Sequence, residues 1–560
     1  MKNRLIGKVL ATEKVPTTMD TFCFWTQSNV KLNAFDVVKV SHLDDSYTYG
    51  VVEQISHITD SNSFLNNFIS NDFGEPTSSA PTLRLGMNYV KVAVTFNSKG
   101  IYNPMLNDSK VYLATADEIT NALGLKEDEN SITCGYIKMY EGSGDDEVVL
   151  RVPLNSKFLI GPEGAHLNIS GISGLAAKTS YAMFLLKAIQ DYKQKQSSED
   201  KVAFVIFNVK GKDLMAIHEQ NDFEGNNGER DAVLKEYEDL NLQTKPFENV
   251  KYHIPYAVKN LKKSTYLNET EVEEGSNSGN LNSFAFLFEE DRDSIELMFS
   301  NIDDSTQTMD SIIDYISTNS EFSNIDGWDE FLDKVKEKTV SGNNSGGKEI
   351  TVASWRKFYR IINKAIRYDE MFATRLVGEN SERLEDVLKE IKANDVHVID
   401  IAKLPEDKQA FVFGSAVEAI SNLQLGEYDE GGETPPDHPD RIIVFIDELN
   451  KYASKEVPKN SPILRRILDV AERGRSLGIV LFAAEQFRSA IHERVTGNCS
   501  THAFGRTNST EVSKGDYRHI PETYKNMMTR LSQGEYIIQN PTFRSLLKIK
   551  FPKPIYKQFK

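Results

Sequence analysis

Two short segments carry residue types that suit phosphate chemistry. In IVFIDE, four apolar residues lead into Asp447 and Glu448. Such a run forms a buried strand that delivers two carboxylates to the carboxyl edge of a parallel sheet, the Walker B pattern. Asp447 suits Mg²⁺ binding, and Glu448 suits orienting a water toward a γ-phosphate. The second segment is GISGLAAKTS at 171–180. Backbone N–H groups of a glycine-bearing loop at a helix start attract phosphate oxygens. Gly171, Ser173, Gly174, Ala177 and Ser180 are the expected cradle, Lys178 the neutraliser of β/γ charge, and Thr179 a second Mg²⁺ ligand. The strict pattern G-x-x-x-x-G-K-[ST] would place glycines where Ile172 and Ala177 stand. Alanine before the lysine costs little if helical and much at positive φ. A third feature is Gln486, which ends the strand IVLFAAEQ; an amide there can bridge attacking water and γ-phosphate. Alone, each segment also reads as a strand ending in solvated acids or as an ordinary Gly/Ala turn. Together they predict ATP and Mg²⁺ binding, with hydrolysis.

The flanking pattern supplies elements to hold these residues. Residues 1–150 read as short β segments rich in Val, Tyr, Phe and Thr, separated by Asn/Asp/Ser/Gly turns, which predicts a small barrel for docking or assembly. An Asn/Ser/Pro-rich stretch at 71–83 reads as a loop within it. From 158 the order FLIG, HLNISGISGLAAKTS, a helix and KVAFVIFNVKG predicts strand, loop, helix and strand. That helix carries Tyr181, Phe184, Leu185, Ala188 and Ile189 on one face. Residues 151–215 are therefore the first part of an ATPase core, 216–395 a mainly helical insertion broken by polar stretches such as ETEVEEGSNSGN and VSGNNSGGKE, and 396–540 the second part. EYDEGGETPPDHPD at 427–440 reads as an exposed loop, and 541–560 as a C-terminal strand and tail.

Composition bounds the rest. At 560 residues, the chain is long enough for roughly three or four folding units. Hydrophobic residues at 39% exclude a wholly disordered chain. The balance of 65 Lys+Arg against 82 Asp+Glu gives −17, so contact with nucleic acid requires a local basic track. Candidates after core strands are Lys210 and Lys212 in NVKGKD, and Arg488 and Arg494 in QFRSAIHER; each also reads as solvated surface charge. His166 and His502 read as structural. Three scattered cysteines disfavour a disulfide framework or zinc site and fit a reducing cytoplasm. No apolar run approaches 18 residues, so neither secretion nor membrane spanning is expected.

The order of barrel, HLNISGISGLAAKTSYAMFLL, helical insertion, IIVFIDELNKY, RILDVAERGRSLGIVLFAAEQF and terminal strands resembles the HerA family of HerA/FtsK ring ATPases over nearly the whole chain. The GxSGxAxKTS form resembles a bacterial branch often associated with anti-phage defence. The resemblance implies an α/β fold: a RecA-like P-loop NTPase core with an N-terminal small β-barrel domain and a helical insertion. It further implies a homohexamer, ATP bound between subunits, and double-stranded DNA threaded through the pore by a helicase-like translocase. The implied partner on the barrel is a NurA-like or other nuclease, or a sirtuin-like NADase. Residue by residue, Lys178 and Thr179 match the phosphate and Mg²⁺ positions, Asp447 and Glu448 the metal and water positions, and Gln486 the sensor. DVAERGRSLG resembles the helix end that supplies an arginine to the neighbouring subunit, with Arg475 the first choice and Arg473 the second; Arg506 is a weaker candidate, and Arg465 and Arg466 stand nearby on the same helix. Simple helix capping or ion pairing is the bland reading of these arginines. A scaffold ring that assembles effector subunits without processive movement is the alternative function, and a protein-remodelling AAA+ machine the third.

Overall fold

The computed structural model describes residues 4–559 except 28, 71, 78–85, 175–176, 196–200, 305, 341–349, 379 and 429–434. Most of the 71–83 and 340–349 loops and the centre of the 427–440 loop therefore lie outside the described residues. The chain forms two compact units, Met1–Asn155 with Arg506–Phe551, and Ser156–Gly505 with Pro552–Lys560.

In the first unit, β1 (Leu5–Leu10), β2 (Thr21–Thr26), β3 (Val37–Ser41), β4 (Tyr47–Thr59), β5 (Gly86–Asn97) and β6 (Lys110–Leu113) close a barrel in the order β1-β2-β5-β4-β3-β6. Closure removes the open edges that short strands otherwise expose. Two further strands, β7 (Ser131–Met139) and β8 (Val148–Asn155), pair antiparallel, and β7 also pairs with Leu547–Lys550, which pairs with Glu535–Gln539. Arg506–Phe551 thus cluster with the barrel, whereas the sequence placed them in the second part of the core and the tail. Their burial explains this: the Tyr524 ring stacks on Phe35 at 3.9 Å, and its hydroxyl donates to the Val52 carbonyl at 3.2 Å. Buried Tyr140 fixes the barrel's corner, its hydroxyl donating to the Val37 carbonyl (2.6 Å) and accepting the Ala114 N–H (2.9 Å).

The second unit is built on parallel strands: β9 (Leu167–Ser170), β10 (Val202–Asn208), β11 (Val250–Pro255), β12 (Leu281–Leu287), β13 (Phe372–Ala373), β14 (Ser381–Arg383), β15 (Val396–Asp400), β16 (Arg441–Asp447), β17 (Ile479–Glu485) and β18 (Thr501–Phe504). Their order is β13-β12-β11-β15-β10-β16-β17-β9-β18, with β14 beside β12, and every pairing is parallel. One strand, β17, separates β9 from β16. This is the RecA-like arrangement of P-loop NTPases, an α/β fold as expected. Strands β10, β16 and β17 are buried at nearly every position, which is why they read as unbroken apolar runs.

Three expectations need correction. FLIG is not a strand: Ser156–Leu159 is one helical turn, and the strand before the loop is LNIS. The segment 216–395 does hold the expected helices, including Asn227–Asp239, Thr308–Thr318, Trp328–Glu337 and Val352–Ile366, but also four strands, β11 to β14, that extend the sheet past β15. ETEVEEGSN is a helix, Glu269–Asn277, rather than a break. Asn268 accepts the Glu271 N–H (2.9 Å) and Glu271 accepts the Asn268 N–H (2.7 Å), a reciprocal cap that outweighs the segment's polarity. The helix Lys178–Lys195 buries the expected face and more, since Lys187 and Asp191 pair at 2.6 Å with both side chains buried. Among the described residues no helix is long and apolar enough to cross a membrane.

Candidate nucleotide site

Strand β9 ends at Ser170, and the helix Lys178–Lys195 begins eight residues on. Between them Gly171 and Gly174 take φ of +154° and +80°, with open space around Gly174. Leu175 and Ala176 lie outside the described residues. Ala177 takes φ +49°, the costly geometry rather than the helical one. A left-handed alanine costs about 1–2 kcal/mol, stored next to Lys178. Lys178 is buried; its ammonium donates to the Gly171 carbonyl (3.0 Å) and reaches the Ser173 hydroxyl (3.4 Å). Burial pushes its pKa down, opposed chiefly by the charge of Asp447. Ser173 also accepts from the Gln486 amide at 2.8 Å, so loop and sensor touch directly. Ser180 is half-buried on the first helical turn.

The two motifs meet at one bond. Thr179 Oγ1 donates to Asp447 Oδ2 at 2.9 Å, across 268 positions of sequence. Asp447 is 3% exposed at the end of β16, and its Oδ1 accepts the Glu448 N–H (2.8 Å). Glu448 sits at φ +60°, turning its carboxylate off the strand direction. Sequence reasoning missed its partners. Lys210 lies 2.8 Å from Glu448 Oε1 and 3.7 Å from Asp447 Oδ2, and Lys451 lies 2.7 Å from Glu448 Oε2. Burial pushes the Glu448 carboxyl up, but the two lysines hold it below the usual carboxylate range. Lys210 was the first residue expected to face DNA; the parallel register of β10 and β16 instead carries it to the acids. That register, two strands each ending at the same sheet edge, is the signal that could have found it.

A polar network backs the sensor. Asn168 on β9 donates to Glu485 Oε1 (2.6 Å) and accepts from Arg488 (3.0 Å), which also contacts His502 Nδ1 (2.7 Å). Glu485 is fully buried, and its Oε2 has no hydrogen-bond partner among the described residues. Burial pushes its pKa up to about 8 against the pull of Asn168, Arg488 and Lys178. His166 Nδ1 accepts the Leu481 N–H at 2.9 Å, and burial lowers its pKa to about 4, so both histidines hold structural places.

The cations expected elsewhere are spoken for. Lys212 pairs with Glu271 (2.6 Å), Arg494 with Glu472 (2.7 Å), and Arg488 belongs to the network above. Arg466 binds Glu418 (2.6 Å) and Glu296 (2.9 Å), Arg465 lies 3.6 Å from Glu296, and Arg506 opens the chain's return to the first unit. Arg473 and Arg475 lie at the end of the helix Pro462–Leu477, directly before β17 begins. They therefore stand at the amino edge of the sheet, about 20 Å of strand from the carboxyl edge that holds Lys178 and Asp447. Both are exposed; Arg473 pairs with Asp469 (3.2 Å) and Arg475 donates to the Glu163 carbonyl (3.1 Å). Within one chain neither completes the site.

The donor set fits a hydrated Mg²⁺ and a nucleoside triphosphate. Thr179 hydroxyl and Asp447 carboxylate are hard oxygen donors already 2.9 Å apart, and Mg²⁺ commonly takes one or two protein oxygens plus phosphate and water. Among the described residues no cluster of three or more His, Cys, Asp or Glu suggests a different metal centre. When bound, the metal supplies charge neutralisation at the β/γ oxygens. Lys178, Glu448 and Gln486 stand around this pair, where the sequence leads one to expect a phosphate cation, a water-orienting acid and a sensor.

Fold and site together define a P-loop NTPase core of the RecA-like kind. No family model and no curated protein matches the sequence. Among solved structures the chain is similar to the bacterial conjugative coupling protein TrwBdeltaN70 in its unbound monoclinic form, with TM-score 0.37 and 12% identity over 78% of this chain and 92% of that one. It is similar also to plasmid coupling protein TrwB in complex with ADP and Mg²⁺, with TM-score 0.33 and 12% identity over 73% of this chain and 91% of that one. A third is the genome packaging NTPase B204 from Sulfolobus turreted icosahedral virus 2 in complex with ATP-gammaS, with TM-score 0.22 and 16% identity over 31% of this chain and 74% of that one.

Proposed function

We propose that the chain is an Mg²⁺-dependent ATPase that works as a homohexameric ring motor on double-stranded DNA and feeds or activates an effector docked on its barrel, in anti-phage defence. The observation that carries the ATPase reading is the Thr179–Asp447 hydrogen bond, which brings the phosphate loop and the acid-tipped strand to one point. The ring rests on the resemblance to HerA proteins; Arg473 and Arg475, exposed at the sheet edge opposite the site, are the cations proposed to reach a neighbour's nucleotide. A trans arginine makes turnover depend on assembly. The effector class, nuclease or NADase, rests on the resemblance alone. A scaffold ring is the second reading. It is favoured by the neutralisation of both Glu448 oxygens and by the ion pairing of Lys212 and Arg494, which leaves these cations turned to acids rather than to phosphate.

The test is ATP turnover with and without duplex DNA. Turnover stimulated by duplex is expected in the wild type and should fall about a hundredfold or more in Lys178→Ala and Glu448→Gln. Unchanged turnover in both variants removes the site. Native mass spectrometry checks the hexamer, and triplex displacement separates motor from scaffold: a scaffold organises its partner yet displaces nothing.

A further inference from the structure

We infer that Lys210 is an exchangeable internal counter-cation of the nucleotide site, a positioning residue that competes with a divalent metal for Asp447 and Glu448. The inference rests on the nucleotide-site reading above and goes beyond it by giving that site a built-in competitor.

The geometry sets Lys210 against the metal's own ligands. Its ammonium is 3.7 Å from Asp447 Oδ2, the oxygen that also accepts the Thr179 hydroxyl, and 2.8 Å from Glu448 Oε1. A metal held by Thr179 and Asp447 would share that oxygen with a second cation, and two like charges within about 4 Å repel strongly where water is scarce. Asp447 is nearly dry, with its side chain 4% exposed. Lys210 itself is 39% exposed, so its long side chain can withdraw into water.

Lys210 is also surplus to the local pairing. Glu448 already has a counter-ion three residues along its own segment, Lys451 at Oε2. Lys210 comes instead from the turn after β10, and the backbone beneath it is pinned. Asn208 donates to the Gly211 carbonyl (2.9 Å) and to Asp400 Oδ1 (2.9 Å), and Asp400 takes the Thr265 hydroxyl at 2.6 Å. Gly211, at φ +47°, closes the turn. A pinned backbone with a half-exposed side chain suits exchange of the ammonium alone. Such exchange leaves Glu448 held by Lys451 and free at Oε1 to accept a hydrogen bond from water, so Lys210 would set how readily the site loads with metal.

The experiment uses the full chain without nucleotide and MnCl₂ as the probe, free Mn²⁺ being counted by electron paramagnetic resonance. Lys210→Met should bind Mn²⁺ roughly tenfold more tightly than the wild type, while Lys210→Arg, which keeps the charge, stays close to it. Lys210→Gln, a second neutral variant, guards against a folding defect in the first, and a normal thermal unfolding curve qualifies either. In parallel, a fluorescent mant-ATP with Mg²⁺ is titrated into wild type and Lys178→Ala. If mant-ATP binds in a Lys178-dependent way but the neutral variants bind Mn²⁺ no tighter than the wild type, the counter-cation role is overturned and the nucleotide site stands. If mant-ATP does not bind the wild type, the nucleotide-site reading falls and takes this inference with it. In turnover assays the neutral variants should lower the Mg²⁺ concentration at half-maximal rate; an unchanged Mg²⁺ dependence would overturn the proposal.

Discussion

Replacing Glu485 by glutamine tests whether β17 ends in a neutral acid. The residue is fully buried, and burial raises its pKa from 4.5 to about 8, despite the hydrogen bond from Asn168 and the charges of Arg488 and Lys178. Below the unfolded value near 4.5 both states hold the proton, so its contribution is fully present. Between 4.5 and 8 the unfolded chain releases the proton while the folded chain keeps it, and stability falls by about 1.4 kcal/mol per pH unit, levelling off above 8. From pH 5.5 to 7.5 the loss is therefore about 2–3 kcal/mol. Glutamine has the shape of the neutral acid, keeps an oxygen for Asn168 and cannot ionise. Because the chain has two compact units, whole-chain unfolding is unsuitable, so urea titrations should follow Trp328 and Trp355, both buried in the second unit, in a Trp25→Phe background. The stability of Glu485→Gln relative to Glu485 should rise by about 2–3 kcal/mol across that window. If the two proteins track each other with pH, the acid is already ionised at pH 5.5 and the account of the network is wrong.

Two further substitutions probe local geometry. Ala177→Gly relieves the positive φ, and after the entropy that glycine adds to the unfolded chain the net gain should be about 0.5–1 kcal/mol in urea unfolding, with tighter mant-ATP binding; a loss of stability would contradict the left-handed loop. Tyr140→Phe strips a buried hydroxyl that serves Val37 and Ala114, and should destabilise the first unit by about 2–3 kcal/mol in calorimetry, while mant-ATP affinity of the second unit stays at the wild-type value.

The site was legible where chemistry is contiguous in sequence. IVFIDE announces itself because a strand buried on both faces needs an unbroken apolar run, and GISGLAAKTS because glycines and a lysine sit at a helix start. Lys210 and Lys451 were not legible as partners of Glu448: a charged residue in a turn carries no mark of which acid the sheet register will bring beside it. The strands VKYHIP and LNSFAFL were hidden for a related reason, being six and seven residues set among long charged helices, too short for their period to stand out. The polarity of ETEVEEGSN concealed a helix whose stability comes from its cap rather than from an apolar face. The bounds 396–540 and 541–560 also missed that Arg506–Phe551 clusters with the barrel; the pairing of Leu547–Lys550 with β7 is a long-range fact that local pattern does not encode.

That long-range pairing has a consequence for biosynthesis. The barrel unit draws on Met1–Asn155 and again on Arg506–Phe551, while Pro552–Lys560 returns to the other unit, where the Ile555 carbonyl accepts the Asn221 N–H at 2.8 Å. On the ribosome, the barrel unit cannot be completed until Arg506–Phe551 has emerged, nor the other unit until Pro552–Lys560 has followed. A nascent chain, or one cut short by a premature stop before these segments, is left with two incomplete bodies rather than one sound one, the kind of species that the cell's proteases remove.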